Sequence, residues 1–165
     1  MDYKKNGMSR MAARVAKLPV SWRRLALTVM FGKVVPFLST AGLRFEEVSQ
    51  QRLVVSLRNR RKVQNHIKGI HAAAMALLAE TATGFVVGMN VPDDKLMLLK
   101  SMKIDYLKRA QGDMRASASL TAEQIASMHE LGKGNVTVAV NVTDESGESP
   151  ISCEMVWAWV PKQRT

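Results

Sequence analysis

Cysteine is almost missing from the 165-residue chain, with Cys153 alone. One cysteine forms no disulfide within the chain and builds no Cys-rich metal site, so a reducing compartment, the cytoplasm, is expected. Histidine is scarce as well, at three residues, and His129 is remote in sequence from the other two. A metal site from His66, His71 and Glu80 is not expected, because their spacing matches no i,i+4 zinc pair. Long apolar runs are lacking. Residues 25–38 are interrupted by Lys33 and Pro36, and 72–79 stop at Glu80, short of the ~18–20 residues of a membrane span. Residues 1–17 mix charges throughout, so no export signal is expected. Residues 84–88 lack a GxGxxG or GKT pattern, and no serine sits in a nucleophile-elbow context. Nucleotide-loop and Ser/His/Asp chemistries are therefore set aside, and no separate cofactor is expected.

What is present is an ordinary globular composition, 47% apolar and 23% charged, long enough for one core. The net charge of +10 is unevenly placed. Residues 1–62 carry 14 Lys and Arg against 3 Asp and Glu, whereas residues 63–165 carry 10 against 11. A basic arm attracts phosphates of nucleic acid, lipid or a phosphorylated ligand alike. It is read as an N-terminal helical extension, residues 1–39, followed by one domain, residues 40–165. A helix over 9–17 ends at Pro19, and a second starts from Ser21 as N-cap and runs to Pro36. Their apolar stripe is expected to pack on the domain, with peripheral membrane contact as the minority alternative. No nucleic-acid partner is expected.

From Gly42 the hydrophobic period changes to alternation through Leu43, Phe45, Leu53, Val55 and Leu57, the pattern of a hairpin. From His71 it changes again, into an Ala/Leu/Met-rich helix ending at Gly84 and apolar on nearly every face. A helix without a polar side needs wrapping, so it is expected at the centre of a curling sheet. Strands are expected over 96–107, 113–120, 134–143 and 150–160, with a short helix over 122–131. The turns at 111–113 and 144–147 read as reversals between consecutive antiparallel strands. The class is α+β: five to six antiparallel strands around one long central helix.

Glu80 stands out chemically, since its neighbours on the same helical face are Ala73, Ala76, Leu77 and Gly84. A carboxylate among small apolar residues is paired or functional, and desolvation raises its pKa. Equally, it could bond to a nearby backbone group or an Arg at the helix end. The second feature is Asn-His-Ile-Lys-Gly-Ile-His-Ala-Ala, residues 65–73, which leads into the helix. Backbone N–H groups there lack helical partners, so that of Ala72 could donate to a carbonyl oxygen gaining negative charge. Asn65 and Gly69 could instead simply shape the turn.

Asn65, His71 and Glu80 in that spacing, followed by Ser-Met-Lys-Ile-Asp-Tyr-Leu-Lys-Arg-Ala-Gln-Gly-Asp over 101–113, resemble the hotdog-fold acyl-CoA thioesterases, in particular the phenylacetate-pathway-like subgroup. The resemblance covers roughly residues 40–160, and the N-terminal helices resemble those of an uncharacterised branch. It implies a hotdog fold and hydrolysis of an acyl-CoA thioester, coenzyme A entering only as part of the substrate. Glu80 takes the place of the catalytic carboxylate, as general base or nucleophile. Asn65 matches the residue that orients substrate or water, His71 the histidine beside the thioester, and the Ala72 amide the oxyanion donor. Gly69 and Ala73 fall among substrate-contacting positions. Ala72 and Ala73 stand where the family pattern has two glycines.

Ala72 and Glu80 are eight residues apart, ~12 Å along one helix, too far to act on one carbonyl. Two antiparallel copies would bring one chain's helix start to the other's Glu80, as the resemblance implies, so a homodimer or dimer of dimers is expected. Arg58, Arg60, Arg61, Lys62, Lys108 and Arg109 are candidates for the phosphates of coenzyme A. Trp157 and Trp159 are expected to pack on the N-terminal helices. The alternatives are a hotdog protein that binds acyl-CoA or acyl-carrier protein without hydrolysis, and a basic protein docking on membrane or nucleic acid.

Overall fold

The computed structural model describes residues 5–163. The expected extension's residues 1–4, and residues 164–165, lie outside the described residues. Three helices come first: α1 (Gly7–Val15), α2 (Val20–Val34) and α3 (Pro36–Ala41). Strands β1 (Leu43–Val48) and β2 (Arg52–Leu57) follow, then a 3-10 turn (Arg61–Val63) and the long helix α4 (Ala72–Gly88). Next come β3 (Lys95–Tyr106), β4 (Met114–Ser119), α5 (Ala122–Glu130), β5 (Gly134–Asp144) and β6 (Ile151–Pro161).

The six strands form one antiparallel sheet in the order β1-β2-β4-β5-β6-β3. Helix α4 lies against β2, β3, β4, β5 and β6, and Ala74, Met75 and the run 81–87 are buried. This is the hotdog fold. An Ala-rich helix lets strands approach closely on several sides, while its Leu, Val and Phe side chains fill the curl of the sheet.

Leu27 and Phe31 of α2 and Leu38 of α3 are buried in the same core as the sheet. Phe31, Phe45 and Phe85 form an aromatic trio with ring centroids 4.8–4.9 Å apart, tying α2 to β1 and α4. Asn6 caps α1 and also donates to the carbonyls of Gly88 and Val91, so the first helix is anchored at the end of the last turn of α4.

Four local expectations change. Helix α2 begins at Val20, directly after Pro19, so Ser21 lies within its first turn and is not the cap. Helix α4 passes through Gly84 and ends at Gly88. A Cβ at Gly84 would lie 2.7 Å from the Trp157 ring, so this glycine permits close packing and does not stop the helix. Residues 107–113 do not close a hairpin, because β5 and β6 lie between β3 and β4. The turn at 144–147 does join adjacent strands. Asp144 links the two features: its Oδ2 accepts from Gln111 N–H at 2.9 Å and its Oδ1 from Ser146 N–H at 2.9 Å. Finally, the tryptophans of β6 turn away from the N-terminal helices. The Trp157 indole donates to Thr83 Oγ1 of α4 at 3.0 Å, and that of Trp159 to the Leu131 carbonyl at 3.1 Å.

Candidate active site

The segment before α4 is a closed polar loop. Asn65 Oδ1 accepts from the N–H groups of Ile67 (3.0 Å) and Gly69 (3.1 Å), and its own N–H donates to the Gly69 carbonyl at 2.8 Å. That clasp holds Lys68 at φ 63°, a left-handed conformation uncommon for a residue with a side chain. Asn59 Nδ2 donates to the Lys68 carbonyl at 3.2 Å and Arg109 to that of Ile67 at 3.2 Å, so two further side chains fix the loop from outside. The side-chain oxygen of Asn65 is thus occupied in shaping the loop, leaving its amide NH2 as the group that could face a substrate.

His71 is the N-cap of α4: Ala73 N–H donates to its Nδ1 at 3.1 Å. An Nδ1 that accepts carries no proton, which places the proton of a neutral imidazole on Nε2, in the open. The N–H groups of Ala74 and Met75 donate to the His71 carbonyl. Among the first helical donors this leaves the Ala72 N–H without a partner among the described residues, on an exposed residue at the positive end of a 17-residue helix. The Ala72 carbonyl, by contrast, accepts from the Tyr106 hydroxyl at 3.0 Å, which pins the helix start to the end of β3.

Glu80 lies two turns further on, half-buried. Its carboxylate has no hydrogen bond or ion pair among the described residues, and burial alone raises its pKa above the ordinary carboxylate range. The bond to a neighbouring backbone group or an Arg, one of the two readings open for Glu80, is not made among the described residues. Beside it Thr81 is buried with its Oγ1 unpartnered. Thr83, braced by Trp157, donates back to the carbonyls of Ala79 (3.0 Å) and Glu80 (3.1 Å), stiffening the turn that carries the carboxylate.

One chain therefore gathers Asn65, Gly69, His71, Ala72 and Ala73 at the helix start and holds Glu80 apart from them. The basic candidates divide. Arg109 and Gly69 share a cleft with Asn59, Lys68 and Gly112. Arg58 lines a different groove, with Arg24, Arg44 and Arg115. Lys108 is paired with Glu148, and Lys62 reaches Gly42. Arg60 and Arg61 are exposed at the 3-10 turn. The sequence reading assigned no role to Tyr106, Asn59 or Thr81. Tyr106 lay within the strand that carries the resemblance, but only the fold shows that its hydroxyl meets Ala72. Burial first, and Asp105 second, push the Cys153 thiol up to about 11, which keeps the thiolate scarce at ordinary pH. Among the described residues no group of three or more His, Cys, Asp or Glu could hold a metal ion, and no helix is long and apolar enough to cross a membrane.

Residues 23–160 match the family described as Domain of unknown function (DUF4442), and the chain belongs to that family. Solved structures share its fold. A Pseudomonas aeruginosa protein described as of unknown function and a probable thioesterase is 23% identical, with a TM-score of 0.74 over 88% of this chain and 97% of that one. A thioesterase family protein from Silicibacter pomeroyi is 12% identical, with a TM-score of 0.69 over 94% of this chain and 100% of that one. A Bacillus halodurans protein solved with CoA is 19% identical, with a TM-score of 0.65 over 96% of this chain and 97% of that one. No curated protein matches the sequence.

Proposed function

We propose that the protein hydrolyses an acyl-CoA thioester to the free acid and CoA, at a site shared by two copies of the chain. The observation that carries this reading is the pair of unsatisfied groups on α4: a free Ala72 N–H at its start and an unpaired, desolvated Glu80 two turns on. The first suits an oxygen gaining negative charge. The second suits removal of a proton from water, since a raised carboxylate pKa lies closer to working pH. Water adds to the thioester carbon, its proton passes to Glu80, the carbonyl oxygen gains charge against Ala72 N–H, and the C–S bond breaks with the proton going to the CoA sulfur. Attack by Glu80 itself, followed by hydrolysis of the anhydride, uses the same groups. The relatives named as thioesterases and the one solved with CoA favour this substrate class.

The two groups are ~12 Å apart in one chain, and the fold offers a way to join copies. Strand β3 is a twelve-residue sheet edge with exposed Leu96, Leu98, Leu99 and Met102, an edge that invites pairing. A homodimer formed there, or a dimer of dimers, would set one copy's Asn65, His71 and Ala72 toward the other's Glu80. Arg109, in the cleft with Gly69, is then the best placed of the basic candidates for a CoA phosphate. The lone thiol agrees with a cytoplasmic setting. One observation favours the non-catalytic alternative: Ala72 and Ala73, which stand where the resembled family has two glycines, are both exposed at the helix start. Thiol release from short, long and aromatic acyl-CoAs, compared between the wild type and Glu80→Ala at matched dimer content, tests the reading. The variant is expected to lose at least ~100-fold in turnover. Turnover indifferent to Glu80 overturns the site, and binding of acyl-CoA without any turnover by the wild type makes the protein a carrier.

A further inference from the structure

We propose that the outer face of α2 docks on the surface of an anionic phospholipid bilayer. This helix is apolar on two sides. Leu27 and Phe31 face the core, while Trp22, Leu25 and Val29, at i, i+3 and i+7, form an outward row and are 63%, 59% and 50% exposed. Lys33 continues that row, whereas Arg23 lies about 100° round the helix from Trp22, its Nε donating to the Leu18 carbonyl at 2.8 Å. Val20 before the row and Phe37 after the helix are also exposed, at 75% and 62%. Large side chains left open in a row mark a contact surface, whereas single ones do not.

The charge around the row selects the occupant. Between Asp2 and Glu46 the sequence has nine Lys and Arg and no Asp or Glu. Arg14, Lys17, Arg23 and Lys33 make no ion pair among the described residues. Leu25 also lines a groove in which Glu46, Asp113, Asp144 and Glu145 stand with Arg24, Arg44, Arg58 and Arg115, so the charges balance on that side and the unpaired excess lies on Arg14, Lys17, Arg23 and Lys33. Nucleic acid would satisfy the charge and leave the apolar row in water. A bilayer with anionic headgroups answers both at once: Trp22, Leu25 and Val29 enter the headgroup–acyl boundary, and the Lys and Arg side chains extend to the phosphates. Helix α2 covers the β1 edge of the sheet, the edge opposite β3, so docking leaves β3 free.

The chain carries its own reporter. Trp157 and Trp159 are 5% and 1% exposed, so Trp22 is the one tryptophan that can change its surroundings on binding. The full-length protein is to be mixed with phosphatidylcholine vesicles, with or without about 30% phosphatidylglycerol, at about 50 and 300 mM salt, and followed by flotation and tryptophan emission. The expected result is flotation and a blue shift with the anionic vesicles only, at least ~10-fold weaker at the higher salt. The expected loss for Leu25→Ser/Val29→Ser, which keeps every charge and the reporter, is also ~10-fold. Absence of flotation at low salt overturns the proposal, as does equal binding to both vesicle types. Full retention by the double variant reduces the face to a charged patch and overturns it too. So does a change of solution mass in that variant without lipid, which would mean that a second copy occupies the row. Binding to duplex DNA as tight as to the anionic vesicles, and indifferent to the double substitution, would assign the arm to nucleic acid instead.

Discussion

At one edge of the sheet, β1 is covered by the chain's own α2: Phe45 N–H donates to Thr28 Oγ1 at 3.0 Å, and Phe31 packs on Phe45. At the other, the twelve residues of β3 pair with β6 on one side and meet no strand on the other among the described residues. The backbone donors of an edge strand need partners. The N-terminal helices supply cover for β1 from within the same chain, whereas β3 keeps exposed leucines. The difference shows how one polypeptide covers one edge of its sheet with its own helices and leaves the other edge without a strand partner among the described residues.

Breaking the closed edge should have the largest effect. Phe31→Ala removes the ring joining α2, β1 and α4, and is expected to cost about 3–5 kcal/mol, read as a lower denaturant midpoint at unchanged m. If that variant stays within 1 kcal/mol of the wild type, α2 is an accessory and not the closure of the β1 edge. Breaking the open edge should leave the fold intact and change the assembly. Leu98→Lys, in mid-strand, is expected to weaken a β3-paired dimer by about 1.5–3 kcal/mol, roughly tenfold or more in Kd, measured by sedimentation. An unchanged association constant would move the dimer contact away from β3.

The smallest effect sharpens the comparison from the helix lying between the edges. Because burial raises the pKa of Glu80, the folded protein holds that proton more tightly than the unfolded chain does. The stability this group contributes is therefore full at acid pH and is lost as pH rises through and above the ordinary carboxylate range. Glu80→Gln is expected to melt slightly above the wild type at neutral pH and level with it at acid pH, in thermal scans of the dilute monomer. A neutral-pH melting point below the wild type would mean that the carboxylate has a partner. Repeating the scan on the associated form tells whether a second copy provides one.

The strand and helix positions were legible in the sequence because periodicity records burial: alternation at Leu43, Phe45, Leu53 and Leu57 and the apolar run 72–79 of α4 each appear where burial demands them. Pairing of nonconsecutive strands was not legible. Residues 107–113 carry the residues of a tight turn, yet β3 pairs with β6, and the link is held by Asp144, which is 31 residues beyond its end in sequence. Gly84 was misread for a related reason. A glycine signals either a helix end or a close approach, and the choice rested with Trp157, 73 residues away. At the candidate site, the positions of Asn65, His71 and Glu80 could be picked out, and shaping the turn was one of the readings open for Asn65, but not that its oxygen accepts from Ile67 and Gly69 or that His71 leaves only the Ala72 N–H free.

The sequence by itself determined the α+β class, the central helix, the basic arm and a carboxylate set among small apolar residues, because these follow from local periodicity and charge. Only the tertiary structure decided that Glu80 has no partner, that Tyr106 grips the start of α4, that one sheet edge is closed and the other open, and that Trp22 faces outward while Trp157 and Trp159 are buried. Those outcomes depend on which distant residues meet, and long-range contacts are fixed by the packing of the whole sheet around α4.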